Sequence, residues 1–204
     1  MIVKNESAII IRLLESVTPL IDSYCICDTG STDNTITLIQ EYCESKNIPG
    51  KIIEESFRDF GYNRSYALMG CTDMQNADYI LLMDADMKLE IKTTNIEQFK
   101  RMLINDAYYV VQGCPDFFNE NIRIIRNDPS YHYWGVTHEY IELPDTAVIE
   151  NISKEVLFIT DVGDGGSKEN KFKRDIDLLI KGLEMNPNNP RYLFYLANSY
   201  RDSN

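Results

Sequence analysis

Two carboxylates one residue apart, Asp84 and Asp86, follow the apolar run Tyr79-Ile80-Leu81-Leu82-Met83. A run this short and continuous fits a central parallel strand covered on both faces. Residues i and i+2 of an extended segment point the same way, so both carboxylates are predicted to project together beyond that strand. Open α/β sheets bind ligands in that crevice. Paired carboxylates repel one another unless a cation lies between them. An all-oxygen ligand set suits Mn²⁺ or Mg²⁺ and leaves coordination positions for phosphate oxygens. A bare Asp-x-Asp is otherwise a solvated loop or a helix cap, and the strand ahead of it gives the motif its weight.

Other groups with chemical potential lie in order around this pair. Asp28 ends a buried strand, Ser23 to Asp28, and is followed by a turn, Thr29 to Thr35. Its carboxylate can accept from a base N–H or ribose hydroxyls, or simply cap its own turn. Gly30 permits the tight backbone, and Ser31, Thr32 or Asp33 can cap the next helix. Arg64 opens a helix after the aromatic loop Phe57–Tyr62 and can pair with phosphate, or with a surface acid such as Asp59. Trp134-Gly135-Val136-Thr137-His138-Glu139 holds the only tryptophan and one of two histidines. Trp134 is either a stacking wall for a sugar ring or core. Glu139 is a candidate general base, and His138 can orient it or bind metal. The glycine-rich stretch Asp161–Ser167 can close over a diphosphate or act as a linker.

The elements that must position these groups alternate strand and helix up to Asp86, a pattern that implies right-handed crossovers and a parallel sheet. Met1-Ile2-Val3 reads as the end of a strand whose beginning is missing, which, with the unfinished helices at the other end, predicts an excised piece of a longer protein. Ile9, Ile10, Leu13, Leu14 and Val17 follow at helical spacing, stopped by Pro19. Beyond residue 105 the strands Ala107–Val111, Ile122–Arg126, Glu139–Leu143, Ala147–Glu150 and Val156–Thr160 have little helix between them, which predicts a mixed or antiparallel extension. Lys171–Met185 and Arg191–Tyr200 form a helical hairpin broken at Asn186-Pro187. The fold class is α/β, a mixed, mainly parallel sheet flanked by helices, with a C-terminal helical hairpin. The division falls at 1–167 and 168–204.

The 204 residues are 44% hydrophobic, enough for one substantial core. A net charge of −12 argues against nucleic acid and anionic membrane as partners. A nucleotide is compatible with that charge when a cation neutralises its phosphates. Five cysteines, odd in number and without a Cys-x-x-Cys pair, read as reduced thiols and point to the cytoplasm. No run reaches membrane-spanning length.

Taken together, Met1-Ile2-Val3-Lys4-Asn5-Glu6, Asp28 to Thr35, Asn63-Arg64, Leu82-Met83-Asp84-Ala85-Asp86, Arg123-Ile124-Ile125-Arg126-Asn127 and Gly135 to Glu139 resemble the family 2 glycosyltransferases. That resemblance implies a GT-A, Rossmann-like fold and inversion at the anomeric centre. It implies transfer of a hexosyl group from a nucleotide diphosphate sugar, UDP by default, to a hydroxyl of a sugar, lipid or protein. By position, the turn with Val3, Asn5 and Glu6 would contact the nucleoside together with Asp28, and Arg64 would lie nearby. Asp84 would face ribose or metal, Asp86 would bind the metal, and Glu139 would deprotonate the acceptor. The family's metal-binding histidine is matched here by Asp161, and its Arg-Asn by Arg64-Ser65. Lys171–Asn204 resembles the start of a tetratricopeptide repeat. Two rivals are a nucleotidyltransferase, whose glycine-rich basic loop Val3-Lys4-Asn5-Glu6 lacks, and a non-catalytic nucleotide-sugar-binding module.

Overall fold

The structure, a computed structural model, describes residues 1–74, 76–114, 117–166 and 171–203. Ser167 of the glycine-rich stretch and the boundary at 167–168 therefore lie outside the described residues. Three parallel strands open the chain in the order β1 (Ile2–Val3), β2 (Tyr24–Asp28) and β3 (Gly50–Glu54). Helix α1 (Ile10–Val17) buries Ile10, Leu13, Leu14 and Val17, the stripe its spacing predicts. Helix α2 (Thr35–Ser45) buries Ile39 and Cys43. Helix α3 (Phe60–Thr72) starts at Asp59, whose side chain accepts from the Tyr62 N–H at 2.8 Å. Asp59 is thus a helix cap, and the Arg64 guanidinium turns elsewhere.

The second sheet runs β4 (Tyr79–Leu81), β7 (Phe117–Arg126), β6 (Ala107–Cys114), β11 (Leu157–Asp161) and β5 (Met87–Ile91), with β10 (Ile149–Ile152) also on β6. A two-stranded ribbon joins β8 (His132–Trp134) to β9 (Tyr140–Glu142). Pairing in this half is mixed, as the loss of intervening helices predicts: β6 with β7 and β11 with β5 are antiparallel, while β10 and β11 run parallel to β6. Two elements here, β5 and α4 (Ile96–Met102), fall in a stretch that the sequence left unassigned.

The strand Tyr79–Leu81 differs from expectation. It pairs antiparallel with β7 and, among the described residues, has no parallel neighbour. Among the described residues β4 is an edge strand, paired with β7 alone. A cavity of about 600 Å³ flanks it, with Leu13, Leu14, Ile26, Leu81 and Met83 among its apolar lining and Asp22, Asp78 and Lys100 among its charged lining.

The main core packs α1 and α2 against β2, β5, β6 and β11, through Leu13, Ile26, Ile39, Leu89, Val110 and Ile159. A smaller core under α3 gathers Leu68, Leu82, Ala107, Ile125, Tyr131 and Ile141. The chain's last two helices, α5 (Lys171–Met185) and α6 (Pro190–Asp202), form the expected hairpin. Asn189 caps α6 by accepting from the Arg191 and Tyr192 N–H groups, and Pro190 occupies the first turn, where no N–H is needed.

Candidate active site

The Asp84-Ala85-Asp86 segment is a turn and not the extended end of a strand. The Met87 N–H donates to the Asp84 carbonyl at 3.1 Å, so the chain reverses between β4 and β5. A turn thus replaces the extended geometry expected of this pair.

Asp84 faces two guanidinium groups. Arg64 Nη2 donates to one carboxylate oxygen at 2.6 Å, and Arg123 Nη1 to the other at 3.4 Å. Arg64 Nε donates at 2.6 Å to Glu139. One arginine therefore bridges the acid after β4 and the acid before β9. All three side chains are at most 24% exposed, so the bridge is screened from water. Burial works against charge at Asp84, yet Arg64 and Arg123 pull its pKa well below the ordinary carboxylate range. Burial likewise opposes the charge on Arg64, but Asp84 and Glu139 hold it protonated even more firmly than usual.

Arg123 was assigned no role from the sequence. The β6–β7 ladder slips between Tyr108 and Tyr109, whose partners are Ile124 and Ile122, so Arg123 is the unpaired extra residue of a bulge. Bulges re-aim side chains. This one turns Arg123 to Gln112, Leu82 and Asp84. A charge inside the apolar run Ile122–Ile125 was the available signal. Beside this group opens a cavity of about 630 Å³, with Asp84, Glu139, Arg123, Tyr109, Asn121 and Tyr140 among its walls.

Asp86 belongs to a second group formed by three loops. The loop after β1 and the loop after β2 are stitched together. Asn5, at φ +54°, accepts from the Thr32 N–H at 2.7 Å, and the Asn5, Glu6 and Ser7 N–H groups donate to Ser31, Thr35 and Asp33. The Val3 carbonyl takes the Thr29 N–H. Asp28 uses both oxygens on the Gly30 and Ser31 N–H groups and the Ser31 hydroxyl, so in this arrangement it caps its own turn. Partial burial would raise Asp33, but hydrogen bonds from Ser7 and Thr35 bring it down to about 2.

The third loop is the glycine-rich stretch, which packs on the loop after β1 and beside Asp86. Gly166 N–H donates to Glu6 at 3.2 Å, and Asp164 takes a two-pronged pair from Arg12 at 2.6 and 2.8 Å. A Cβ on Gly165 would lie 3.2 Å from the Asp86 carboxylate, an approach that glycine makes easy. Burial raises the Glu6 pKa. The Gly166 N–H offsets part of that, and repulsion from Asp86, Asp33 and Asp164 adds to it. Asp161 is exposed at the end of β11, opposite Met87 in the sheet. Among the described residues, no three His, Cys, Asp or Glu side chains are grouped to hold a metal ion.

Trp134 and His138 face the C-terminal hairpin. The indole stacks on Tyr192 with centroids 5.2 Å apart and also packs on Tyr140, so that face is not open to a sugar ring. The His138 ring lies flat on Tyr195, with centroids 3.9 Å apart. Burial depresses the His138 pKa, though Asp175 and Glu139 work the other way.

Residues 1–161 match the family described as Glycosyl transferase family 2. The chain belongs to that family. Its relatives include the SPbeta prophage-derived glycosyltransferase SunS of Bacillus subtilis, 25% identical over 211 residues, which cover 96% of this chain and 47% of SunS. Another is the TPR repeat-containing protein Synpcc7942_0270 of Synechococcus elongatus, 25% identical over 148 residues, 70% of this chain and 34% of that protein. The chain thus spans about half, or less, of the length of these relatives. Among solved structures, S. aureus TarS 1-349 in complex with UDP-GlcNAc superposes with a TM-score of 0.54 at 15% identity, over 89% of this chain and 65% of that one. Longer S. aureus TarS gives 0.55 at 14% identity, over 98% and 42%. This family-2 chain therefore has the GT-A fold of those transferases. Among the described residues no helix is long and apolar enough to cross a membrane.

Proposed function

We propose that this family-2 domain transfers a sugar, with inversion, from a UDP-sugar to a hydroxyl acceptor, assisted by Mn²⁺ or Mg²⁺. The observation that supports this most directly is the Arg64 bridge, 2.6 Å to Asp84 and 2.6 Å to Glu139, beside an open cavity. The choice of UDP-sugar draws on family membership and on TarS, whose structures were determined with UDP-GlcNAc and with UDP.

In this reading the nucleoside rests on the stitched loops around Asn5 and Asp28, and the diphosphate lies beneath the glycine-rich loop near Asp86. The acceptor oxygen attacks the anomeric carbon from the face opposite the diphosphate. The bond from that carbon to the diphosphate oxygen breaks, and the acceptor proton passes to the Glu139 carboxylate. A protonated Glu139 holds Arg64 less strongly, which frees guanidinium charge for the departing diphosphate. Arg123 remains beside Asp84 as a second fixed cation.

Asp86 is the carboxylate that suits a hard cation, because both Asp84 oxygens already face guanidinium groups. Glu6, pressed by Asp86, Asp33 and Asp164, is an acidic neighbour whose repulsion such a cation would relieve. The rest of its shell would come from diphosphate oxygens, with Asp161 a further carboxylate at the loop base. When bound, the ion neutralises charge on the leaving diphosphate.

Calorimetry of UDP-GlcNAc with and without Mn²⁺, on wild type and Asp86→Ala, tests this. Mn²⁺ is expected to strengthen wild-type binding by roughly tenfold or more, and Asp86→Ala to lose that gain while keeping its circular dichroism spectrum. Near wild-type turnover in Asp86→Ala would sink the diphosphate assignment. Binding with neither hydrolysis nor transfer would favour a non-catalytic module.

A further inference from the structure

We propose that the α5–α6 hairpin is a working part of the active site, in which Arg191 and Tyr192 are positioning residues that fix the turn carrying Glu139. This rests on the reading of Glu139 as general base.

The turn between β8 and β9, residues 135–139, is an unusual backbone. Gly135 sits at φ +106° and His138 at φ +50°, and for a residue other than glycine the second value is a sparsely populated conformation. Such conformations persist where the surroundings over-determine them. Here most of the restraint comes from the hairpin. The Val136 N–H donates to the Tyr192 hydroxyl at 3.2 Å, and Arg191 Nη2 donates to the His138 carbonyl at 2.7 Å. The Thr137 hydroxyl donates to Asp175 of α5 at 3.4 Å, and Asp175 is only 1% exposed. One further backbone bond, Phe60 N–H to the Val136 carbonyl, comes from α3.

The Arg191 bond matters most for aim. The His138 carbonyl belongs to the peptide unit that joins His138 to Glu139, so holding it fixes the plane from which the Glu139 side chain departs. Arg191 is itself held, its guanidinium 5.0 Å from the Tyr140 ring and 5.0 Å from the Tyr195 ring. Arg64 grips the other end of Glu139 through its carboxylate. The side chain is therefore fixed at its root by α6 and at its tip by α3. A base misplaced by about 1 Å loses much of its effect, so positioning at this point is felt in the rate.

The test compares Arg191→Met, Arg191→Lys, Tyr192→Phe and Glu139→Gln in the full chain. Each is followed by amide exchange of residues 136–140, UDP-GlcNAc affinity and the rate of nucleotide release. Tyr192→Phe keeps the ring that stacks on Trp134 and removes only the hydroxyl, so it separates turn restraint from folding. The expectation for Arg191→Met is faster exchange in the turn and a rate lowered about tenfold, with donor affinity within about twofold of wild type. Arg191→Lys, which can still donate to the His138 carbonyl, should recover most of the rate. A dead Glu139→Gln beside Arg191→Met and Tyr192→Phe at full rate overturns the positioning role alone. Glu139→Gln at full rate overturns the base assignment beneath it. Unchanged exchange at 136–140 in Arg191→Met overturns the proposal whatever the acceptor.

Discussion

Arg64 bridges the two acids of the candidate site. It joins two acids that are 24% and 14% exposed and lies itself at 16%. Removing the guanidinium strands Glu139 in a poorly hydrated place and leaves Asp84 to Arg123 alone, and breaking a buried pair from one side costs about 3–5 kcal/mol. Arg64→Met is expected to lower unfolding stability by roughly 3 kcal/mol in a denaturant melt. Arg64→Lys should recover only part, because one ammonium lacks the fork that reaches two acids. An unchanged midpoint in Arg64→Met would refute the bridge. The residue types at this site were legible in the sequence, since Asp84, Arg64 and Glu139 all stand out there. Their pairing was not, because it depends on the turn at Asp84–Met87 and on the bulge that admits Arg123, neither of which has a signature in side-chain periodicity.

Elements bring these residues together by close approaches that tolerate little extra volume. A Cβ on Gly61, in the first turn of α3, would lie 2.3 Å from the Gly135 carbonyl oxygen. Overpacking of this kind costs about 1–3 kcal/mol. Gly61→Ala is expected to lose roughly 2 kcal/mol of stability and to slow turnover, as α3 with Arg64 is pushed from the turn with Glu139. Wild-type stability and rate together would contradict that contact. Helix and strand periodicity revealed α1, β2 and α2 closely, because each buries an apolar stripe; α5 and α6 were also legible, although α6 leaves Leu193 and Phe194 exposed. The short ribbon strand β8 and the stretch with β5 and α4 carry weaker patterns. The role of the hairpin was hidden for another reason: Trp134 and His138 suggested sugar and metal, whereas their rings are committed to Tyr192 and Tyr195.

The same contact makes the hairpin sensitive to acid. Burial holds the His138 imidazole below its ordinary value, so the fold favours the neutral ring. The unfolded chain takes up a proton near the usual histidine value of about 6.5, and the folded chain only at lower pH. The stability His138 contributes is therefore present above about pH 6.5 and is lost as pH falls through the folded value. Melting temperature is expected to fall more steeply between about pH 6.5 and 5 in wild type than in His138→Asn, since asparagine tolerates the same backbone without titrating there. Parallel profiles for the two proteins would contradict this.

At the scale of the whole molecule, a chain of net charge −12 is proposed to bind an anionic diphosphate. It does so by concentrating cations where the chemistry needs them: Arg64 and Arg123 at Asp84, Arg12 at the glycine-rich loop, and a divalent ion at Asp86 in the proposed reaction. The sheet topology divides the tasks. Parallel β1–β3 end in the loops assigned to the nucleoside, and the mixed sheet with its β8–β9 ribbon carries the acids assigned to chemistry. Turnover and donor affinity of Glu139→Gln, measured side by side with wild type on UDP-GlcNAc and Mn²⁺, test the central claim most directly. The account predicts a donor Kd within about twofold of wild type and nucleotide release slowed by about 10²-fold or more. Release at the wild-type rate, or loss of donor binding in step with loss of release, would contradict it.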